Sequence, residues 1–250
     1  MNIVVAMKQI PDLQQIRIRN REPVLDAVPL TLGNIDKNAL EAAVAFKESH
    51  GGKVTVLSAG SEDLEDTIKE ALAAGADEAF LVLDDELDGA DSEAIAGILG
   101  AALNRIEDKD LIIFGEGSGD NYSGQVGPRV AEILGIPLVT YASSIEINDK
   151  TAKVVRSLED CEEIIELTLP AAVSVLAGIN EPRIPSVTQI LKAGKKPKEI
   201  LEMDDLGLAL AEKQVITLSN LAPESERKQI LLKSADELVK ALSSQSLIGR

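Results

Sequence analysis

A chain of 250 residues, 45% hydrophobic and 27% charged, has the make-up of a folded protein with one sizeable α/β domain and an extension, or two small domains. The formal net charge of −17 repels phosphate backbones and anionic lipids, and no apolar run approaches the roughly 20 residues that span a bilayer, so nucleic-acid binding and membrane insertion are not expected. Cys161 stands alone, which excludes an internal disulfide and a multi-thiolate metal site, and a single histidine, His50, excludes a two-histidine one.

The first residues, Met1-Asn2-Ile3-Val4-Val5-Ala6-Met7, have no basic flank and no small-residue cleavage site. They read as a first strand rather than a signal peptide, and a cytoplasmic setting is expected. A stretch at 15–25 follows, in which Gln15-Ile16-Arg17-Ile18-Arg19 alternates and Asn20-Arg21-Glu22-Pro23 can turn; a small hairpin or ordered loop is predicted. Helical spacing then covers 36–50, where Ala39, Leu40, Ala43, Val44 and Phe46 form one apolar stripe. His50, at the end of that helix, reads as a surface residue favoured there by the macrodipole.

Strands are predicted at 53–59, 79–83, 111–114 and 137–142, separated by helices near 61–74, 92–106 and 124–134. Ser61 and Ser92, each followed by acidic residues, are the expected N-caps, and Gly75 and Gly135 follow their helices where a left-handed residue is needed. Repeated strand–helix–strand units with short connections require right-handed crossovers and a parallel sheet. With aromatics at only 2%, the core must be Ile, Leu, Val and Ala, which suits a parallel sheet covered on both faces. The fold expected is therefore α/β, an open, mainly parallel, doubly wound sheet.

Beyond 144, strands at 145–147, 153–156, 163–169 and 172–176 lack intervening helices and predict antiparallel pairing at a sheet edge. A basic stretch, Lys195-Lys196-Pro197-Lys198, interrupts an acidic chain, and 199–230 shows no period. The last helix has a capping-box pattern, Ser234-x-x-Glu237. The division expected is an α/β domain over 1–190 and a C-terminal arm over 191–250 that packs on a partner.

The chemistry is expected in Gly115-Glu116-Gly117-Ser118-Gly119-Asp120-Asn121-Tyr122-Ser123-Gly124-Gln125-Val126, where an apolar strand runs through alternate glycines into a helix. Ligands of open parallel sheets bind beyond the carboxyl ends of strands, near the point where strand order reverses. Glycines admit close backbone approach, and amides at the next helix start suit a phosphate or diphosphate. Ser118, Ser123 and Gln125 can add neutral donors, whereas Glu116 and Asp120 would repel a phosphate and suit ribose hydroxyls or solvent. This is no P-loop, since Gly-Lys-Ser/Thr is absent, and a glycine-rich turn required only for geometry is the competing reading. Ala6, ending the first strand, and Ala59, ending the second, are small enough to admit an adenine or are simply core. No nucleophile, base or metal cluster stands out, so no catalytic residue and no metal ligand is assigned.

The sequence resembles the β subunit of electron transfer flavoproteins over essentially its whole length. The resemblance rests on Val5-Ala6-Met7-Lys8-Gln9-Ile10-Pro11-Asp12, on Ala71-Leu72-Ala73-Ala74-Gly75-Ala76-Asp77-Glu78, on 120–128 and on Ile179-Asn180-Glu181-Pro182-Arg183. The glycine loop, with Ile184-Pro185-Ser186 and Ala193-Gly194-Lys195-Lys196-Pro197, is similar to the subgroup linked to nitrogen fixation and carnitine metabolism. The resemblance implies a heterodimer with an α subunit that carries most of the contacts to FAD. It also implies AMP in this subunit for simple carriers, or a second FAD reduced by NADH in electron-bifurcating ones. It makes the 1–190 domain the nucleotide-binding one, with contacts at Ala6, Ala59 and the run from Gly115 to Val126, and a third segment at Gly33, Asn34 and Asp36, although Gly33-Asn34 stands where the family commonly has Asn-Pro. It further implies a partner-recognition stretch at 183–192, with Val187 as the apolar anchor that docks into an acyl-CoA dehydrogenase. The competing classes are a stand-alone ATP/AMP-binding regulatory domain similar to universal stress proteins, and an ATP-pyrophosphatase-type ligase. The ligase is disfavoured because Lys8-Gln9-Ile10 stands where its Ser-Gly-Gly-x-Asp-Ser loop belongs.

Overall fold

The computed structural model of the chain describes residues 1–209, 213–224 and 230–248. Its elements run β1 (Asn2–Ala6), β2 (Gln9–Pro11), β3 (Arg17–Arg19), β4 (Glu22–Val24), β5 (Leu30–Leu32), α1 (Asn34–His50), β6 (Lys53–Gly60), α2 (Leu64–Thr67) and α3 (Lys69–Ala74). They continue through β7 (Glu78–Leu83), α4 (Ser92–Arg105), β8 (Leu111–Gly115), α5 (Val126–Leu134), β9 (Leu138–Asn148), β10 (Thr151–Ser157), β11 (Glu162–Thr168) and β12 (Ala171–Val175). The chain then forms α6 (Val187–Ala193), β13 (Lys198–Leu201), α7 (Met203–Leu206) and α8 (Ala235–Ser244).

Among the described residues, nine strands form one sheet in the order β11-β10-β9-β12-β8-β1-β6-β7-β13. Neighbours from β9 through to β13 are parallel, while β10 is antiparallel to both β9 and β11. Successive residues of a strand point to opposite faces, and in β1 both sets are apolar. Ile3 and Val5 join the core beneath α1 and α3, whereas Val4 and Ala6 join the one beneath α4 and α5. Near-continuous Val, Ile, Leu and Ala runs in β1, β6 and β8 are thus the mark of strands buried on both sides.

The expected architecture holds, with local corrections. The predicted helix over 61–74 is broken into α2 and α3 at Ile68, which is wholly buried and caps both pieces. The predicted strands at 137–142 and 145–147 are one 11-residue strand, β9. Ser92 is the first residue of α4 and not its N-cap: Asp91 accepts from the amides of Glu93 and Ala94, both at 3.0 Å, because a carboxylate answers the helix dipole as well as the unpaired amides. Ser61 likewise does not cap α2, which follows Asp63. Gly75 and Gly135 both have positive φ, as expected. The hairpin of the 15–25 stretch is present as β3 with β4, while the antiparallel pair of β2 with β5 was not foreseen.

Beyond 190 the sheet continues, since β13 pairs with β7 from Lys198↔Ala79 to Leu201↔Val82. The chain separates into one unit of residues 1–17 and 25–218, and a second of residues 18–24 with the chain after 218. Of the stretch 191–250 assigned to an arm, residues 210–212, 225–229 and 249–250 lie outside the described residues. In α8 the Ser234 hydroxyl accepts from the Glu237 amide at 3.2 Å, but Glu237 accepts from Lys233 rather than completing the box with Ser234. No helix among the described residues is long and apolar enough to cross a membrane.

Candidate functional site

The chain leaves β1 for β6 and β7 on one side and then returns to β8 on the other. The strand order therefore reverses between β1 and β8, the point at which open parallel sheets hold ligands in a crevice beyond the strand ends. The ladder of β1 stops at Ala6, which pairs with Phe114 of β8 and Leu57 of β6.

Asp36, in the first turn of α1, bridges the two strand ends. Its carboxylate accepts from the Lys8 amide at 2.8 Å and from the Gly115 amide, and the residue is only 6% exposed. The Gly33 amide donates back to the Lys8 carbonyl at 3.0 Å, so the backbone of Lys8 is held from both sides. Both glycines are required by this packing: a Cβ on Gly33 would fall 2.8 Å from Asp36 Oδ2, and one on Gly115 would fall 2.6 Å from Oδ1. Burial pushes the Asp36 carboxyl up to about 7, against the pull of the two amides and the Lys8 charge, with Asp120 adding to the rise.

The glycine loop leaves β8 with the Glu116 amide donating to the Val175 carbonyl of β12 at 3.0 Å. Its ring of polar contacts is internal. Lys8 Nζ meets Asp120 Oδ2 at 2.5 Å, and Ser118 donates to the same carboxylate. Burial raises Asp120, but these hydrogen bonds and the Lys8 charge outweigh it and hold the carboxyl below its ordinary range. The Tyr122 hydroxyl donates to Glu116, which pushes the phenol up to about 12. Gly117 lies under the Tyr122 ring, and Gly119 lies against Leu13 and Ile10. Gly124, at φ +63°, turns the chain into α5. Val126 and Gly127 then present first-turn amides that no carbonyl within the helix can reach, and Pro128 has no N–H to satisfy.

The predicted contact residues are brought together at one end of the sheet, in unequal positions. Ala6 is buried at the end of β1, Ala59 is partly exposed at the end of β6, and Asp36 is buried between the ends of β1 and β8 with its carboxylate already engaged. The segment from Gly119 to Ser123 is largely exposed. Asn34 lines a cavity of about 200 Å³ with Ile10, Asp12, Leu13, Gln14, Thr31 and Lys37, and the glycine loop contributes nothing to it. The residue that sequence reasoning passed over is Lys8. Its signal was a lysine directly after the first strand of a parallel sheet, in a chain with 42 acidic and 25 basic residues.

An adenosine phosphate matches this donor set. Asp36, Glu116 and Asp120 each have a protein partner, so their charge is partly answered before any phosphate arrives, and helix-start amides, Ser123 and one ammonium remain as donors.

Val187 is elsewhere, on α6, and is 74% exposed beside Ile184, Ile190 and Leu191. The segment leading to it is tied to α1. Asn38 Nδ2 donates to the Asn180 carbonyl at 2.8 Å, and Asn180 Nδ2 donates to the Asn38 carbonyl at 2.9 Å. Arg183 is bidentate to Glu41, through Nε at 2.7 Å and Nη2 at 2.9 Å, and also pairs with Glu48 at 2.6 Å. Ser186 then opens α6 with a complete capping box to Gln189.

Residues 24–206 match the family described as Electron transfer flavoprotein domain. The chain is 38% identical to Electron transfer flavoprotein subunit beta of Thermoanaerobacterium thermosaccharolyticum, over 99% of this chain and 100% of that one. It is 37% identical to the protein of the same description from Bacillus subtilis, again over 99% and 100%. It is also 37% identical to Caffeyl-CoA reductase-Etf complex subunit CarD of Acetobacterium woodii, over 84% of this chain and 81% of that one.

Proposed function

The chain belongs to the electron transfer flavoprotein family, as a β subunit, and on that premise we propose that the crevice between β1 and β8 holds the adenosine phosphate end of a second FAD. The observation that carries this reading is the coincidence of three features at one point. They are the reversal of strand order beside Ala6, the glycine loop that leaves Gly115, and the open first turn of α5. A flavin supplies one- and two-electron chemistry when bound; the protein supplies position and surroundings. Ala6 and Ala59 leave space at the strand ends, the loop from Gly115 to Val126 wraps the phosphates, and Asp36 fixes the separation of the two strands beneath them.

Family β subunits work paired with an α subunit, and FAD of the pair is the shuttling centre. The part of the 191–250 stretch that lies beyond the sheet is the arm that packs on that subunit, and NADH is the electron donor to the flavin of this one. The exposed apolar group of Ile184, Val187, Ile190 and Leu191 docks a flavin dehydrogenase of the acyl-CoA type. Support comes from the exposure of these side chains, from the Arg183 tie that fixes the start of their segment to α1, and from a relative whose description places it in a Caffeyl-CoA reductase-Etf complex. A stand-alone ATP/AMP-binding regulator is set aside by family membership.

The test is cofactor stoichiometry of the full chain coexpressed with its α subunit. Two FAD per heterodimer, reducible by NADH, are expected. One FAD with one AMP would make the protein a simple carrier, and a colourless complex would overturn the reading.

A further inference from the structure

We infer that Lys8 is the phosphate-binding cation of the crevice, held in waiting by Asp120 and transferred to the phosphate when a nucleotide arrives; the inference rests on the nucleotide reading above. The backbone of Lys8 is immobilised at the strand reversal, its amide on Asp36 and its carbonyl under the Gly33 amide. Its side chain is 45% exposed and ends on Asp120, within the glycine loop. A fixed root with a solvent-facing tip lets the charge move without moving the strand. An ammonium has three donors, and Asp120 occupies one, so two remain for a ligand.

The electrostatics favour the transfer. Among the described residues, Lys8 is the sole Lys or Arg whose side chain bonds the loop, while Asp36, Glu116 and Asp120 are all acidic. Helix-start amides and hydroxyls offer only partial charges to a phosphate in a chain of net charge −17. A half-exposed lysine–carboxylate pair is weak, because water competes for both partners. The diphosphate of FAD or the phosphate of AMP, each carrying about two negative charges and several acceptor oxygens, draws the ammonium from Asp120. Asp120 keeps its hydrogen bond from Ser118 and is not left bare.

A lysine that merely braces the loop would affect every ligand of the crevice alike, whereas a phosphate receptor affects only ligands that carry a phosphate. The αβ complex, stripped of bound nucleotide by gel filtration in concentrated salt, is titrated calorimetrically with adenosine and with AMP. In K8Q the preference for AMP over adenosine should fall about tenfold or more, with adenosine affinity within about twofold of wild type. K8R should keep most of the preference, and D120N should bind AMP at least as well as wild type. An unchanged AMP-to-adenosine ratio in K8Q, or a D120N variant that loses both ligands equally, would overturn the inference and leave the nucleotide reading standing. A wild-type complex that binds neither ligand would instead overturn that reading.

Discussion

The Asp36 carboxylate occupies the space that a side chain on Gly115 would need: Oδ1 lies 2.6 Å from where a Cβ would be. One residue opens α1 and the other ends β8, and together they set how far β1 and β8 stand apart at the point where strand order reverses. A methyl group at Gly115 must displace a buried, amide-bonded carboxylate or push the loop outward.

Gly115→Ala is therefore expected to destabilise the chain by about 1–3 kcal/mol, the usual range for overpacking. The double variant D36A/G115A should recover part of that loss, because the clashing carboxylate is gone. Urea denaturation of the four proteins of this cycle checks the coupling, and strict additivity would refute it.

Asp36 also makes stability depend on pH with an unusual sign. Its folded value, about 7, lies above the ordinary aspartate value of 3.8, so between the two the native state holds a proton that the unfolded chain has released. The stabilisation is complete below about 4 and is lost as pH rises through about 7. Asp120, held low in the fold, has the opposite dependence, confined to acid pH where its carboxylate takes up a proton. The stability of D36N relative to wild type should therefore climb between pH 4 and 7 and level off above. A flat difference across that window would show that the Asp36 proton plays no part.

Val187→Asp places a charge in the middle of the exposed apolar group on α6, whose side chain is already in water, so the fold should tolerate it. Electron transfer from the partner dehydrogenase should need at least about tenfold more of the complex to reach half its maximal rate, since a desolvated carboxylate opposes docking. Flavin content per heterodimer should be unchanged. Steady-state assays that vary the complex concentration separate the two, and unchanged kinetics would remove this face from the docking surface.

At the start of α4 the prediction distinguishes two adjacent residues. Asp91→Ala removes the acceptor for the Glu93 and Ala94 amides, and for the Gln214 amide at 2.7 Å, and should cost about 0.5–2 kcal/mol. Ser92→Ala should lie within about 0.5 kcal/mol of wild type, because Ser92 is already inside the helix. Thermal denaturation of both variants decides between them.

Local pattern alone determined that the chain is a mainly parallel α/β protein, and it singled out the loop after Phe114 as the candidate site. The apolar runs of β1, β6 and β8, the stripe of α1 and the positive-φ glycines at 75 and 135 are properties of a few adjacent residues, and each reports its own conformation without the rest of the molecule. Even there, the choice of Asp91 over Ser92 as a cap was beyond residue preference, because both types cap well and only the actual turn picks one. Tertiary structure decided which charges meet. Lys8 finds Asp120 across 112 residues, and Arg183 finds Glu41 across 142. It also turned Asp36 from a surface-type residue in a helix start into a buried bridge between two strands. Spacing along the chain carries no record of such pairs, because the sheet order that brings them together follows from burying both faces of every central strand at once.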